Sequence, residues 1–75
     1  MNVTPLPRFT PDAHRLWDAI PADVRPRLLA NVWCGHCRDE VTITRFHGET
    51  LRGDLVLRGH CARCDEDVAR VIESA

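Results

Sequence analysis

The chain has 75 residues, a formal net charge of −1 and ten basic residues, all of them arginine. This length suits a single domain, below the size at which a hydrophobic core alone is usually adequate, so we expect a cross-link or a bound metal. No apolar run approaches the length of a membrane-spanning helix, which argues against a membrane protein of the helical class.

The N-terminal part predicts an arm followed by a helix. Residues 1–9 contain two prolines and show no periodicity, so we expect a flexible or extended arm. Thr10-Pro11-Asp12 is a strong helix start, with a hydroxyl cap, a proline at the first position and an acid in the first turn. The apolar residues that follow have helical spacing and predict one stripe: Ala13, Leu16, Trp17 and Ile20.

A second short helix is predicted to begin near Ala22 or Asp23, after Pro21 ends the first helix. Pro26 is compatible with this helix only in the first turn, where its missing N–H costs no hydrogen bond. Residues 10–30 are therefore predicted to form a helical cap. The expected apolar side of the second helix consists of Val24, Leu28, Leu29 and Val32.

After the helical cap, the apolar pattern changes to a period of two, which favours strands. Residues 41–46 alternate and include several β-branched side chains, so they are predicted as a strand. Residues 47–50 and 53–54 have the composition of turns, and residues 54–58 are expected to return as a second strand. A third strand is predicted over residues 68–73, with a helix as the alternative for this segment.

All four cysteines of the chain lie in two CxxC pairs, Cys34-Gly-His-Cys37 and Cys61-Ala-Arg-Cys64, which we call the first and second knuckle. Each knuckle predicts a tight turn that directs two sulfurs at one point. The 23 residues between the pairs are enough for a hairpin that brings the two turns together. This spacing matches a site of four thiolates around one zinc, so we predict a structural Zn²⁺ held by Cys34, Cys37, Cys61 and Cys64.

Three other uses of the cysteines stay open. Two disulfides would suit a secreted chain, but Met1-Asn2-Val3-Thr4 leads into a polar stretch without the apolar segment of a secretory signal. We therefore expect a cytoplasmic chain, in which thiols stay reduced. A rubredoxin-like iron centre uses the same two pairs and would make the protein an electron carrier. A thioredoxin-type dithiol needs a helix N-terminus beside a βαβ unit, which the predicted elements lack.

The two halves around the knuckles are similar, since an aromatic or imidazole residue precedes each pair and a valine follows each pair by four residues. At this point residues 31–75 resemble a zinc ribbon, a fold in which two CxxC turns and a three-stranded antiparallel sheet clamp one zinc. Ribbon turns often place glycine after the second cysteine, whereas Arg38 and Asp65 occupy those positions here. The resemblance implies that residues 31–75 form a metal-stapled ribbon.

A three-stranded ribbon lacks an apolar cover for its sheet, and the helical stripe would supply one. We therefore expect an α+β fold in which Leu16, Trp17 and Ile20 pack on the ribbon sheet. Their expected contacts in the sheet are Ile43, Leu55, Leu57 and Val71. Trp33, which leads into the first knuckle, is expected in the core as well. Undocked helices would instead offer their stripe to a partner or to a second copy.

The histidines are not expected to bind the metal. His36 and His60 lie within or beside the knuckles, but four thiolates already complete a zinc site. His14 and His47 are expected at the surface. Catalysis is not expected either, because catalytic zinc keeps an open position for water. The His-x-Glu of zinc deaminases, a serine-centred elbow and a phosphate-binding glycine loop are all absent from the sequence.

The charge of the predicted ribbon bears on its partner. Residues 31–75 contain six arginines and eight acids, a net charge of −2, to which four thiolates on Zn²⁺ add another −2. A protein that binds nucleic acid through phosphates normally has a positive domain. We therefore predict a non-enzymatic zinc-binding adaptor for another protein. The alternative is a transcription or translation factor that contacts nucleic acid through arginines on one sheet face: Arg45, Arg52, Arg58, Arg63 and Arg70.

Overall fold

A computed structural model describes residues 9–73; the predicted arm therefore lies, except for Phe9, outside the described residues. The helices and strands are α1 (Pro11–Asp18), α2 (Arg25–Ala30), β1 (Val32–Cys34), β2 (Asp39–Val41), β3 (Ile43–Leu51), β4 (Asp54–Cys61) and β5 (Asp67–Ile72). Strands β3, β4 and β5 form an antiparallel three-stranded sheet in chain order, which confirms that prediction. A separate antiparallel pair, β1 with β2, was not predicted. Within residues 9–73, neither helix has the length and apolarity needed to cross a membrane.

Helix α1 begins where the sequence predicts. The Thr10 hydroxyl accepts a hydrogen bond from the backbone N–H of Ala13 at 3.3 Å, and a proline occupies the start of the first turn. The helix ends at Asp18, before Pro21. The Arg25 side chain then donates hydrogen bonds to the carbonyls of Asp18 and Ile20, both at 3.1 Å. These bonds satisfy acceptors that the end of a helix leaves unpaired.

Helix α2 begins later than predicted. Residues 22–24 form a turn, closed by a hydrogen bond of 2.9 Å from the Val24 N–H to the Pro21 carbonyl, and the helix runs only from Arg25. Pro26 lies in its first turn, as predicted. The assignment of Val32 to the helix was wrong, because Val32 pairs with Val41 in the β1–β2 sheet. Tertiary pairing therefore decided its conformation.

The hairpin of β3 and β4 is longer than predicted. Residues 47–50, predicted as a turn, belong to β3 and pair with β4. The actual turn is Arg52-Gly53, with φ values of 54° and 86°. Positive φ at both residues is the conformation of a type I′ turn, whose twist matches that of the flanking strands. Strand β5 confirms the predicted third strand and excludes the helical alternative.

A β-bulge interrupts the alternation that the sequence predicts for β3. The pairing with β4 shifts between Thr44 and His47, and Arg45 adopts a φ of 49°. The shift leaves Arg45 exposed and lets Phe46 pack against the core. The bulge therefore changes which side chains of β3 face the core.

Helix α1 packs on the three-stranded sheet. Leu16, Trp17 and Ile20 lie against a buried cluster that includes three of the predicted sheet residues, Ile43, Leu55 and Leu57. The rings of Phe9, Trp17 and Phe46 contact one another, with centroids 5.8–6.2 Å apart. These contacts extend the core to the start of the described chain. The members of the buried cluster are Ala13, Val32, Cys34, Val41, Ile43, Leu55, Leu57, Cys61 and Val68.

Two residues predicted in the core lie outside it. Val71 is 51% exposed: it lies on the edge strand β5, on the sheet face opposite to Leu55 and Leu57, whereas its pairing partner Val56 on the central strand β4 is buried. Trp33 is 61% exposed, since its neighbours in β1 both point into the core. In both cases the position of the residue in its sheet, rather than the size or apolarity of the side chain, decided the outcome.

Gly59→Ala is expected to destabilise the protein by about 1–3 kcal/mol, the usual cost of inserting an atom into a packed site. A Cβ at Gly59 would lie 2.7 Å from the Thr44 carbonyl oxygen and 2.8 Å from the Phe46 Cβ, at the bulge. Denaturation of the metal-loaded protein measures the change. Gly35→Ala is the matched control, because a Cβ there meets nothing within 4 Å. Equal losses in the two variants would contradict this account of the bulge.

Candidate metal centre

The two knuckles are turns at equivalent places in the two sheets. The first connects β1 to β2, and the second connects β4 to β5. In each, the residue after the second cysteine donates its backbone N–H to the carbonyl of the first cysteine. These bonds run from Arg38 to Cys34 (2.7 Å) and from Asp65 to Cys61 (2.8 Å). The two turns therefore have the same hydrogen bond at the same position.

Arg38 and Asp65 have φ values of 56° and 66°, in the left-handed region. These are the positions where ribbon turns often have glycine, which enters that region without steric cost. Arg38 and Asp65 therefore adopt the backbone conformation that glycine would adopt at these positions, but their side chains add strain to it. That strain is on the order of 1 kcal/mol for Arg38 and smaller for Asp65, because aspartate enters the left-handed region more readily than most residues.

The structure brings all four predicted ligands together. Their sulfur atoms lie within 4.8 Å of one another, with 3.6 Å between Cys34 Sγ and Cys64 Sγ and 3.9 Å between Cys37 Sγ and Cys61 Sγ. Four sulfurs at about 2.3 Å from a central ion in a regular tetrahedron are about 3.8 Å apart. A disulfide would need about 2.05 Å, and all four cysteines are free. The sulfur positions therefore fit a metal ion.

Backbone N–H groups point at sulfurs of both knuckles. Cys34 Sγ accepts a hydrogen bond from the N–H of Cys37 at 3.4 Å. Cys61 Sγ accepts two, from Arg63 at 3.3 Å and from Cys64 at 3.4 Å. Such donors stabilise the thiolate form, which is the form that binds a metal.

The pKa values of the cysteine thiols also favour a bound cation. Burial opposes ionisation of Cys61, but the N–H groups of Cys64 and Arg63 outweigh it and lower the pKa of Cys61 to about 6. At Cys64, the N–H of Glu66 favours ionisation, yet burial and the neighbouring sulfurs raise the pKa to about 12. Burial likewise raises the pKa of Cys37. One thiolate thus forms readily and disfavours the others, a conflict that a bound divalent cation removes.

The histidines lie outside the sulfur cluster. His36 is exposed, and His60 Nε2 lies 3.4 Å from Asp67 Oδ1. Among residues 9–73, the four cysteines are the only group of metal-binding side chains that converges on one point. His14 and His47 are exposed, which confirms their predicted surface positions.

Ion pairs hold the second knuckle to its surroundings. Asp65 pairs with Arg45 of the bulge, and Arg63 Nη1 lies 3.8 Å from Asp39 Oδ2, just after the first knuckle. Exposed pairs of this kind contribute little individually, at about 0–1 kcal/mol. The sequence offered no signal for either pair, because the partners meet only through the folded sheet.

The arginines expected on one sheet face mostly have partners within the protein, and two of them, Arg45 and Arg58, line one surface cavity. Arg45 and Arg63 have the acidic partners just described, and Arg58 Nε donates to Glu49 at 2.9 Å. Arg70 donates instead to the Leu28 carbonyl at 3.1 Å and to the Asn31 side chain at 2.6 Å. Arg52, the fifth of these arginines, lies in the β3–β4 turn.

Compared with known proteins, the chain matches no family model, no curated protein and no solved structure. The interpretation of the cysteine cluster as a metal centre therefore depends on its spacing, geometry and electrostatics.

Removal of the metal, by a strong chelator or by Cys34→Ser, is expected to unfold at least the region from residue 31 onward. Metal binding in small zinc modules contributes on the order of 10 kcal/mol, comparable to the whole stability of a small domain. Chemical-shift dispersion in NMR spectra and circular dichroism measure the loss of structure, and metal analysis gives the metal content per chain. His36→Ser is the matched control, since this exposed knuckle residue lies outside the cluster. A chelated protein that kept its native spectrum and melting temperature would contradict the prediction.

Arg38→Gly is expected to be about 1 kcal/mol more stable than Arg38→Ala, because glycine relieves the left-handed strain. The alanine variant is the control: it removes the same side-chain charge but keeps the Cβ. Chemical denaturation of both metal-loaded variants gives the difference. A glycine variant no more stable than the alanine variant would show that the knuckle turn is not strained at this residue.

Proposed function

We propose that this protein is a non-enzymatic adaptor, in which a structural zinc holds a surface that binds another protein. The observation that carries the proposal is the arrangement of strand β1. Cys34 of this strand is fully buried in the sulfur cluster, whereas the adjacent Trp33 is 61% exposed. Strand β1 thus contributes a cysteine to the sulfur cluster and exposes a tryptophan to solvent.

Zinc is supported over iron by composition. Both metals accept four thiolates in tetrahedral geometry, so the sulfur positions suit either one. An iron electron carrier is expected to surround its metal with aromatic side chains, but aromatic residues make up only 5% of this chain. The rings of Phe9, Trp17 and Phe46 contact one another, and Trp33 faces solvent. A colourless preparation with one zinc per chain is the expected result.

A structural role for the metal is supported by the complete ligand set. Four cysteine sulfurs fill a tetrahedral shell, and a catalytic zinc would need a fourth position for water or substrate. The sulfurs also come from two sheets, so a metal bound by them joins the sheets. A metal in this position stabilises the fold and orients the surface around it.

An exposed tryptophan suits a protein-binding role. Tryptophan is enriched among the residues that dominate binding energy at protein interfaces, where loss of one such side chain costs at least about 2 kcal/mol. Exposed tryptophan on a small, rigid strand loses little conformational entropy when a partner covers it. Trp33 is therefore the residue on which the proposed interaction should depend most.

Binding to nucleic acid is the second candidate, and the ion pairs weaken it. Three of the five arginines that could form a phosphate-binding face already have acidic partners. Phosphate contacts would have to displace those acids, and the ribbon region carries a net negative charge. The protein-binding proposal requires no such exchange.

Affinity capture from the native organism tests the proposal, with the metal-loaded full chain as bait. We expect a specific protein partner that Trp33→Ala loses, with a fall in affinity of about 30-fold or more. Val71→Ala is the matched control, because Val71 is another exposed apolar side chain, 51% accessible, on the three-stranded sheet. Metal analysis of each bait verifies that the variants keep the metal.

A different result would support the second candidate. Binding to duplex DNA or structured RNA at ~50 mM salt, where phosphate attraction is strong, would contradict the adaptor proposal if it weakened with added salt. It should also weaken in Arg45→Ala and Arg58→Ala. If the Trp33→Ala variant still bound the protein partner, the proposed role of β1 in binding would be contradicted.

A further inference from the structure

The two tryptophans of the chain have opposite environments. Trp17 packs between the rings of Phe9 and Phe46, and the Arg25 guanidinium lies 5.6 Å from its ring centroid. Trp33 is 61% exposed and, among residues 9–73, contacts no other ring and no cation. A tryptophan face attracts cations through its quadrupole. The protein thus uses one tryptophan for an internal cation contact and leaves the other available.

An acid lies directly across the hairpin from Trp33. Trp33 pairs with Glu40 in the β1–β2 register, while the neighbouring pair Val32 and Val41 is buried. Because side chains alternate across a strand, Trp33 and Glu40 lie together on the outer face. Directly opposite side chains have Cβ atoms about 5 Å apart, so one ligand group can reach both.

The Glu40 carboxylate has no ion-pair partner among the described residues. Its neighbour Asp39 differs, since it lies 3.8 Å from Arg63. Arg38 is the other nearby cation, and it also has no ion-pair partner among residues 9–73. With Arg63 included, this part of the surface has two arginines and two acids, and Glu40 is the acid that has no ion-pair partner.

The metal centre adds negative charge next to this face. Cys34 follows Trp33 directly, and four thiolates around one divalent ion leave two excess negative charges. A cationic ligand at Trp33 is therefore favoured by the ring, by the Glu40 carboxylate and by the thiolate centre. A phosphate at the same place would be repelled by the Glu40 carboxylate and by the thiolate centre.

We propose that the outer face formed by Trp33 and Glu40 binds a basic segment of the partner protein. The segment is an extended stretch whose arginine or lysine side chain lies over the indole and reaches the Glu40 carboxylate. Its arginine or lysine would repeat at Trp33 the contact that Arg25 makes with Trp17 inside the protein. This inference rests on the proposed adaptor function and specifies the chemistry of its partner.

Titration of the zinc-loaded full chain with a five-residue peptide of alternating glycine and arginine tests the proposal. The readout is the pair of indole N–H signals in the NMR spectrum. We expect a saturable shift of the Trp33 signal, while the Trp17 signal stays in place. Glu40→Gln is expected to weaken the peptide about fivefold, the effect of one exposed charge pair. Glu73→Gln, which changes another exposed acid, should bind as the native chain does.

The controls use the same peptide with glutamate in place of arginine and a short single-stranded DNA. Neither is expected to shift the Trp33 signal. A shift with either one in place of the arginine peptide would overturn the proposal, as would the absence of any shift or an unchanged affinity in Glu40→Gln. If the arginine peptide fails while Trp33→Ala still loses the captured partner, the adaptor function stands and the partner is not basic.

Discussion

The convergence of four sulfur atoms on one point is the constraint on which the rest of the structure depends. Cys34 ends β1 and Cys61 ends β4, so the ligands come from two different sheets. The chain is too short for a large core, and a metal at this point would join the two sheets beside the buried apolar cluster that they share. The hydrogen bond of 2.9 Å from the Ala62 N–H to the Thr42 carbonyl supports the same junction.

The position of the proposed docking face follows from this constraint through strand geometry. Cys34 must point inward to reach the metal, so the preceding residue of β1 must point outward. Trp33 occupies that position, and its exposure is a consequence of the ligand beside it rather than a failure of packing. The metal centre and the proposed docking face are thus opposite sides of one short strand.

Charge pairing shapes the remaining surface. The arginines of β3, β4 and the second knuckle each have an acid nearby, although their partners are far apart in the sequence. This pairing partly neutralises three arginines. An unpaired carboxylate such as Glu40 therefore contributes more to the local electrostatic potential. The paired arginines would have to leave these acids before they could contact phosphates.

Local features of the sequence were sufficient to predict the two CxxC turns, the start of α1 and strand β5. A CxxC turn and a capped helix each depend on interactions over about three residues, so the local sequence specifies them. The orientation of side chains in the sheets depends on partners far along the chain. The bulge at Arg45, the β1–β2 pairing that placed Val32 in a strand, and the exposure of Trp33 and Val71 were decided only by the tertiary structure. Apolarity identifies which residues can be buried, but strand register decides which sheet face receives them.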